Sequence, residues 1–327
     1  MARQEAASAD QPAAVERGRA AAAPSEMPAR GWKDALARVY DNVSEHRILA
    51  TAAGVTFYVL LAIFPAIAAF VALYGLFADP ETISGHIQAL SGFLPGGAVS
   101  IIGDQIHRLA AKGGTNLGLA SAIGLLVSLW SANAGMKAVF DALNVVYQER
   151  EKRGFFKLNA ISLTFTLVGI VVIALSFGAM VILPRALNAV GLQGIDTWVS
   201  ALRWPVMLLV IALMISVIYR FGPSRDKAQW RWVTWGAAFA SICWLAASAL
   251  FSWYAANLGN FNETYGSLGA IIGFMLWLWV SAIVLLIGAE LDAEIEHQTA
   301  RDTTTGEARP LGERGAVVAD TIGPSRS

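Results

Sequence analysis

Five stretches of this chain run for more than 20 residues without a charged side chain, and apolar residues dominate each of them. A helix rises 1.5 Å per residue, so about 20 apolar residues cross a hydrocarbon core about 30 Å thick. A sixth, shorter window is flanked by Arg203 and Arg220, whose long side chains can reach the headgroups. The sequence therefore predicts an all-α polytopic bundle with six transmembrane helices. The windows are 48–78, 113–136, 158–184, 204–219, 232–262 and 264–289.

Composition agrees with a membrane protein and argues against several other classes. Hydrophobic residues make up 56% of the chain and charged residues only 15%, against about 25% charged in soluble domains. The formal net charge is zero, so we expect no nucleic-acid partner. Cys243 is the single cysteine and the four histidines are scattered, so neither a disulfide nor a metal site is predicted. We expect no cofactor.

The distribution of Lys and Arg predicts the orientation. If the N-terminus is inside, twelve of these residues flank the cytoplasmic span ends and four flank the opposite ends. This bias follows the positive-inside rule. It predicts a multi-pass protein of the cell inner membrane with both termini in the cytoplasm. The inner residues are Arg30, Lys33, Arg38, Arg47, Arg150, Lys152, Arg153, Lys157, Arg220, Arg225, Lys227 and Arg231, against Arg108, Lys112, Arg185 and Arg203.

Outside the apolar windows, composition suggests three units and a structured loop. Residues 1–31 and 298–327 are rich in small, polar and charged residues, which predicts a disordered cytoplasmic arm and tail. The membrane domain then covers 32–297. In the outer loop, 79–112, apolar residues recur at helical spacing on both sides of a Pro-Gly-Gly sequence. This pattern predicts two short amphipathic helices.

Polar residues inside or beside the predicted spans are the candidate functional residues, because lipid makes them costly. Asn133, Lys137, Asp141 and Asn144 share one face of the second span. They favour either an interfacial helix end, on which Lys137 and Asp141 neutralise each other, or the inner mouth of a polar pathway. Glu290 ends the sixth span. It is expected to pair with the basic inner loops, or to form a proton or cation site.

Two further features concern helix geometry and packing. Pro65 lies mid-way through the first span and is expected to kink it, because proline removes one backbone hydrogen bond. Gly266, Gly269 and Gly273 open the sixth span, and the last two form a small-x-x-x-small pair. Such a pair favours close helix packing, either within the monomer or in a homo-oligomer.

Four motifs carry a family resemblance. They are AAGVTFY at 52–58 followed by Phe64-Pro65, WSAN at 130–133 with ALNVVY at 142–147, YGSLG at 265–269, and GAEL at 288–291. Together they resemble the YihY/BrkB family of bacterial inner-membrane proteins, over about residues 32–297. The resemblance implies six spans and cytoplasmic termini, and no established activity. The family has also been labelled ribonuclease BN, but the sequence lacks the clustered metal ligands and basic groove that such an enzyme needs.

Two functions are consistent with these residues. The first is a transporter or exporter of a small solute or lipid-like molecule, with Asn133, Asp141 and Glu290 facing the protein interior. The alternative is a non-transporting membrane protein that supports envelope integrity or anchors partners. An intramembrane enzyme is disfavoured, because no paired acid–base or nucleophile arrangement is present. The lipid bilayer is the one partner that the composition itself requires.

Overall fold

The fold is helical throughout the part of the chain that the structure describes. The computed structural model describes residues 16–74, 103, 119–189, 196–257 and 268–326. In these ranges the only β feature is an isolated bridge between Ala228 and Thr304. The all-α prediction is therefore confirmed. The helices are α1 (Ala29–Glu45), α2 (Ile48–Tyr74), α3 (Leu119–Val146), α4 (Phe155–Ala189), α5 (Asp196–Phe221), α6 (Trp230–Asn257), α7 (Gly269–Glu296) and the short α8 (Val317–Asp320).

Five of these helices are long and apolar enough to cross a membrane. Their qualifying segments fall in α2, α3, α4, α6 and α7, and they match the five long sequence windows. The predicted fourth span falls on α5, whose apolar part, Pro205–Phe221, is shorter. Its crossing of the bilayer stays a prediction. The predicted outer-loop helices at 79–112 lie outside the described residues.

Helix α7 occupies the centre of the bundle. It packs against α6, α2, α1 and α3, while α2 and α3 form a closely packed pair. The main core cluster joins side chains of these helices and of α5, including Ile48, Leu143, Tyr219 and Leu286. Small residues permit the closest approach: the backbones of α6 and α7 meet at Gly236 and Gly288. Helices in lipid associate through such close packing, because burial from lipid supplies little hydrophobic driving force.

The predicted helix features are only partly visible. Helix α2 runs without interruption through Pro65, and the size of any kink stays a prediction. Gly269 and Gly273 are both buried on α7, whereas Gly266 lies outside the described residues. The close α6–α7 contact at Gly288 lies near the other end of α7. Gly288 belongs to the GAEL motif, and nothing in its sequence spacing predicts this packing role.

The terminal segments differ from the disorder that their composition predicts. Residues 16–28 and 297–326 fold across one end of the bundle and bond to each other. Thr299 is fully buried and its hydroxyl donates to the carbonyl of Ala21 at 2.7 Å. The guanidinium of Arg314, also buried, donates to backbone carbonyls of the tail, including Ala319 O at 2.7 Å. Polar contacts, which a composition argument does not count, order these segments.

The glycine contact between α6 and α7 gives a test of this packing. A Cβ added at Gly236 would lie 2.1 Å from the carbonyl oxygen of Gly288. We expect Gly236→Ala to destabilise the protein by about 1–3 kcal/mol, since the two backbones must separate. The measurement is thermal unfolding of the purified protein in detergent. Gly169→Ala is the matched control, because a Cβ there meets nothing within 4 Å. Equal melting temperatures for the two variants would contradict the packing.

Candidate functional site at the charged end of the bundle

The last two turns of α7 carry four carboxylates, and all of them are buried. Glu290, Asp292, Glu294 and Glu296 are each no more than 2% exposed. Carboxylates at a helix C-terminus oppose the helix dipole, and a buried charge is costly unless it is paired. Their partners therefore determine how this end of the protein is built.

Two of the carboxylates bind α1 and the residue that follows it. Arg38 forms a buried ion pair with Glu294 through its Nε and donates from Nη2 to the Glu294 carbonyl at 3.0 Å. Asn42 Nδ2 donates to Glu294 Oε1 at 2.9 Å. His46, directly after α1, contacts Glu290 through Nδ1. This hydrogen bond to Glu290 raises the pKa of His46, which favours the charged imidazolium.

The other two carboxylates bind α6 and the loops. Asp292 Oδ1 accepts a hydrogen bond from the backbone N–H of Gly236 at 2.6 Å. Glu296 pairs with Arg225 at 2.5 Å, and it also accepts from the Thr303 hydroxyl of the tail at 2.5 Å. Burial lowers the pKa of Arg225, but the adjacent Glu296 outweighs that effect and raises it. This pair links the α5–α6 loop to α7.

The candidate residues of α3 separate into different environments. Asn144 holds two loops together: its Oδ1 accepts from the N–H of Ser224 at 2.7 Å, and its Nδ2 donates to Glu151 at 3.2 Å. Burial by itself raises the pKa of Glu151. The hydrogen bonds from Arg153 outweigh burial and lower the pKa to about 2. Asn144 is thus part of the connection between the α3–α4 and α5–α6 loops.

Asn133 and Lys137 face α4. Both contact Asn159 Oδ1, from Asn133 Nδ2 at 3.3 Å and from Lys137 Nζ at 3.1 Å. Asp141 is exposed. No ion pair joins Lys137 to Asp141 in the described part of the chain, and Lys137 Nζ turns to Asn159. The suggested neutralisation of Lys137 by Asp141 stays a prediction. Asn133 is fully buried and its Oδ1 has no hydrogen-bond partner in the described part of the chain.

A basic cleft of about 480 Å³ opens beside this network. The α3–α4 loop, the start of α4, the end of α5, the α5–α6 loop and the tail residue Gly315 form its walls. Its cationic lining residues are Lys152, Arg153, Lys157, Arg220, Arg225 and Lys227. Two of the three basic segments that the charge count assigned to one side of the membrane therefore meet in this cleft. The third, which contains Arg38, lies at the same end of the bundle through the pair with Glu294.

Several residues at this end were missed as site residues by sequence reasoning. Arg38 and Arg220 were counted only as charges that flank spans, and Asn42 and Asn159 were not singled out. Arg38 and Asn42 lie four residues apart on α1, a spacing that predicts a shared helix face. That spacing indicates a polar face, but it does not identify the partner helix. Among the described residues, no group of three His, Cys, Asp or Glu side chains could hold a metal ion.

Comparisons with known proteins place this architecture in a family. The model of the family described as "Virulence factor BrkB" matches residues 39–312. The chain belongs to the BrkB family. It is 31% identical to the putative ribonuclease-like protein YfkH of Bacillus subtilis, over 79% of this chain and 94% of the relative. No solved structure matches it.

Other relatives are named only as membrane proteins. The chain is 24% identical to a UPF0761 membrane protein of Neisseria meningitidis serogroup B, over 79% of this chain but 62% of that protein. It is 20% identical to a UPF0761 membrane protein of Haemophilus influenzae, over 79% of this chain and 93% of that protein. The family resemblance is thus confirmed. The ribonuclease-like name belongs to the Bacillus protein, and these UPF0761 relatives are not named as enzymes.

The His46–Glu290 contact predicts a pH dependence of stability. A pKa raised in the folded state contributes stability that is complete below the unfolded pKa of about 6.5. The contribution is lost as the pH rises through the raised folded pKa. We expect His46→Gln to lower the melting temperature most below about pH 6.5 and progressively less above it. Unfolding in detergent across this pH range measures the difference, and a difference that does not change with pH would contradict the ion pair.

The Arg38–Glu294 pair predicts a much larger stability loss than an exposed pair. Both side chains are 3% exposed, whereas Arg309 and Asp226 form a pair in which each is 53% exposed. Removing one partner of a buried pair costs about 3–5 kcal/mol, because the other charge stays buried. An exposed pair contributes about 0–1 kcal/mol. We therefore expect Arg38→Ala to unfold at a much lower temperature than the matched control Arg309→Ala. Similar melting temperatures for the two variants in detergent would contradict the buried Arg38–Glu294 ion pair.

Proposed function

We propose that this protein is an inner-membrane transporter or exporter of a small solute or lipid-like molecule. In this proposal α5 is the fourth of six spans, and both termini and the charged end lie in the cytoplasm. The meeting of three basic segments at one end supports the orientation, because Lys and Arg are retained on the cytoplasmic side. The transported molecule would move along the side of the bundle formed by α3, α4 and α5.

The observation that carries the proposal is the polar contact between α3 and α4. An ammonium group and two amides meet there, and the buried Asn133 Oδ1 has no partner among the described residues. Ionisable and unsatisfied polar groups within an apolar bundle are expensive and commonly mark a substrate or ion route. Lys137 Nζ also lies 5.6 Å from the ring centroid of Trp130.

The contacts of the other candidates narrow the proposed route. Glu290 is bound by His46 and Asn42, so its oxygens serve the packing of α1 on α7. The Asn144 side chain connects the α3–α4 loop to the α5–α6 loop. The route therefore involves Asn133 and Lys137 rather than all five residues of the sequence prediction.

The second candidate is the non-transporting envelope or scaffold protein. The buried ion pairs of Glu294 and Glu296 favour it, because a tightly bonded end suits a rigid anchor. A homo-oligomer would be compatible with either function. A transport measurement separates the two.

Reconstitution in liposomes tests the transport proposal. We expect vesicles containing the protein to move fluorescent phospholipids, or one member of a panel of small solutes, faster than protein-free vesicles. Asn133→Leu and Lys137→Met should each reduce that rate about tenfold, equivalent to about 1.4 kcal/mol in the barrier, because they remove the polar contact. Thr164→Ala is the matched control: its exposed hydroxyl on α4 bonds only to the carbonyl of Ala160.

Melting temperatures of all variants show whether each one is folded. Transport that is unaffected by both α3 variants would reject the proposed route. A folded protein that moves none of the probes would favour the scaffold.

A further inference from the structure

Three of the six cations in the basic cleft have no carboxylate partner among the described residues. Arg153 pairs with Glu151, Arg225 with Glu296, and Lys152 with Glu149. The remaining three, Lys157, Arg220 and Lys227, line the same cleft without an ion pair. The cleft's acidic lining residue, Asp226, is engaged by Arg309. The cleft therefore keeps an uncompensated positive charge.

Arg220 is the most informative of these cations. Its Nε and Nη1 atoms are shielded from water, and neither has a hydrogen-bond partner in the described ranges. The guanidinium lies 4.3 Å from the ring centroid of Trp230 and 5.3 Å from that of Phe221. Aromatic faces stabilise the charge but accept no proper hydrogen bonds. Arg220 as a whole is partly buried, but two shielded nitrogen atoms without an acceptor are costly, so an acceptor is expected in the cleft.

The other unpaired cations are held near Arg220. Lys227 Nζ lies 5.1 Å from the centroid of the same Phe221 ring. Lys157 lies at the start of α4, lines the same cleft and is exposed. A group placed between these side chains would meet positive charge on several sides. Phosphate oxygens suit this arrangement, because a guanidinium binds them through two parallel hydrogen bonds and ammonium groups add point charges.

The cleft also has an apolar wall. Ile161 and Phe165 line it one and two turns beyond Lys157 along α4. They lie in the segment of α4 that is apolar enough to span a membrane. A molecule with an anionic head and an apolar body could place its head at the cations and its body along this wall.

We propose that this cleft is a binding site for a phosphate group, carried by an anionic phospholipid or by a soluble phosphate compound. Lys157, Arg220 and Lys227 bind the phosphate oxygens, and Ile161 and Phe165 contact any acyl chain. The proposal goes beyond the transport function, since binding requires no movement across the membrane.

The simpler explanation is that these cations only orient the protein in the membrane. Orientation requires positive charge on the loops, and exposed side chains satisfy it. It does not require a guanidinium whose Nε and Nη1 are withdrawn from water inside a cleft. The two explanations predict different binding behaviour.

The test measures binding to the purified full-length protein in neutral detergent. The probes are phosphatidic acid, phosphatidylglycerol, zwitterionic phosphatidylcholine, inorganic phosphate and glycerol phosphate, with native mass spectrometry and thermal shift as readouts. We expect the anionic probes to bind and to raise the melting temperature, and phosphatidylcholine to have a much smaller effect. Binding of the lipids alone identifies a headgroup site, whereas binding of the soluble phosphates as well identifies a site for phosphate in general.

Substitutions locate the binding. The triple variant Lys157→Gln, Arg220→Gln, Lys227→Gln should weaken binding at least tenfold. The triple variant Arg30→Gln, Lys33→Gln, Arg301→Gln removes the same charge from exposed positions outside the cleft and should bind normally. Lys157→Gln alone, at an exposed position, keeps the test valid if changes at Arg220 impair folding. Equal losses in the two triple variants, or equal binding of phosphatidylcholine, would overturn the proposal whether or not the protein transports.

Discussion

The four buried carboxylates at the end of α7 are the constraint on which the rest of the charged end depends. They stand at a helix C-terminus, where the dipole is unfavourable, and they are withdrawn from water. Each must therefore be matched by a donor from another element. The donors are His46 for Glu290, the Gly236 backbone of α6 for Asp292, Arg38 of α1 for Glu294, and Arg225 of the α5–α6 loop with Thr303 of the tail for Glu296. The need to pair the α7 carboxylates with donors therefore fixes the positions of α1, the α5–α6 loop and the tail.

This arrangement divides the charged end into two sides of different character. On the α7 side, three of the four carboxylates have basic partners and Asp292 is bound by a backbone N–H, which suits a rigid contact between helices. On the side of α4 and α5, Lys157, Arg220 and Lys227 stay without carboxylate partners among the described residues. The contact of Asn133 and Lys137 with Asn159 lies between α3 and α4, on a different face of α4 from Lys157. The proposed phosphate site and the proposed transport route both involve α4, and each is tested separately.

Much of the fold could be predicted because lipid imposes simple rules. Uncharged apolar windows located five membrane-length helices. The candidate site was predicted less well. Glu290 and Asn133 were expected to face the interior and are buried, but they join separate networks, and Asp141 is exposed. Helical spacing shows which side chains share a face, but it does not show which helix packs there.

The sequence by itself determined the membrane class, the apolar helices and the asymmetric distribution of positive charge, because each depends on local composition. The tertiary structure alone decided which charges are neutralised and which stay available. Arg225 and Arg220 are five residues apart in the same basic segment, yet Arg225 meets Glu296 and Arg220 meets aromatic rings. It also decided that residues 16–28 and 297–326 are ordered. Those outcomes depend on contacts between residues far apart in the chain, which composition and periodicity do not encode.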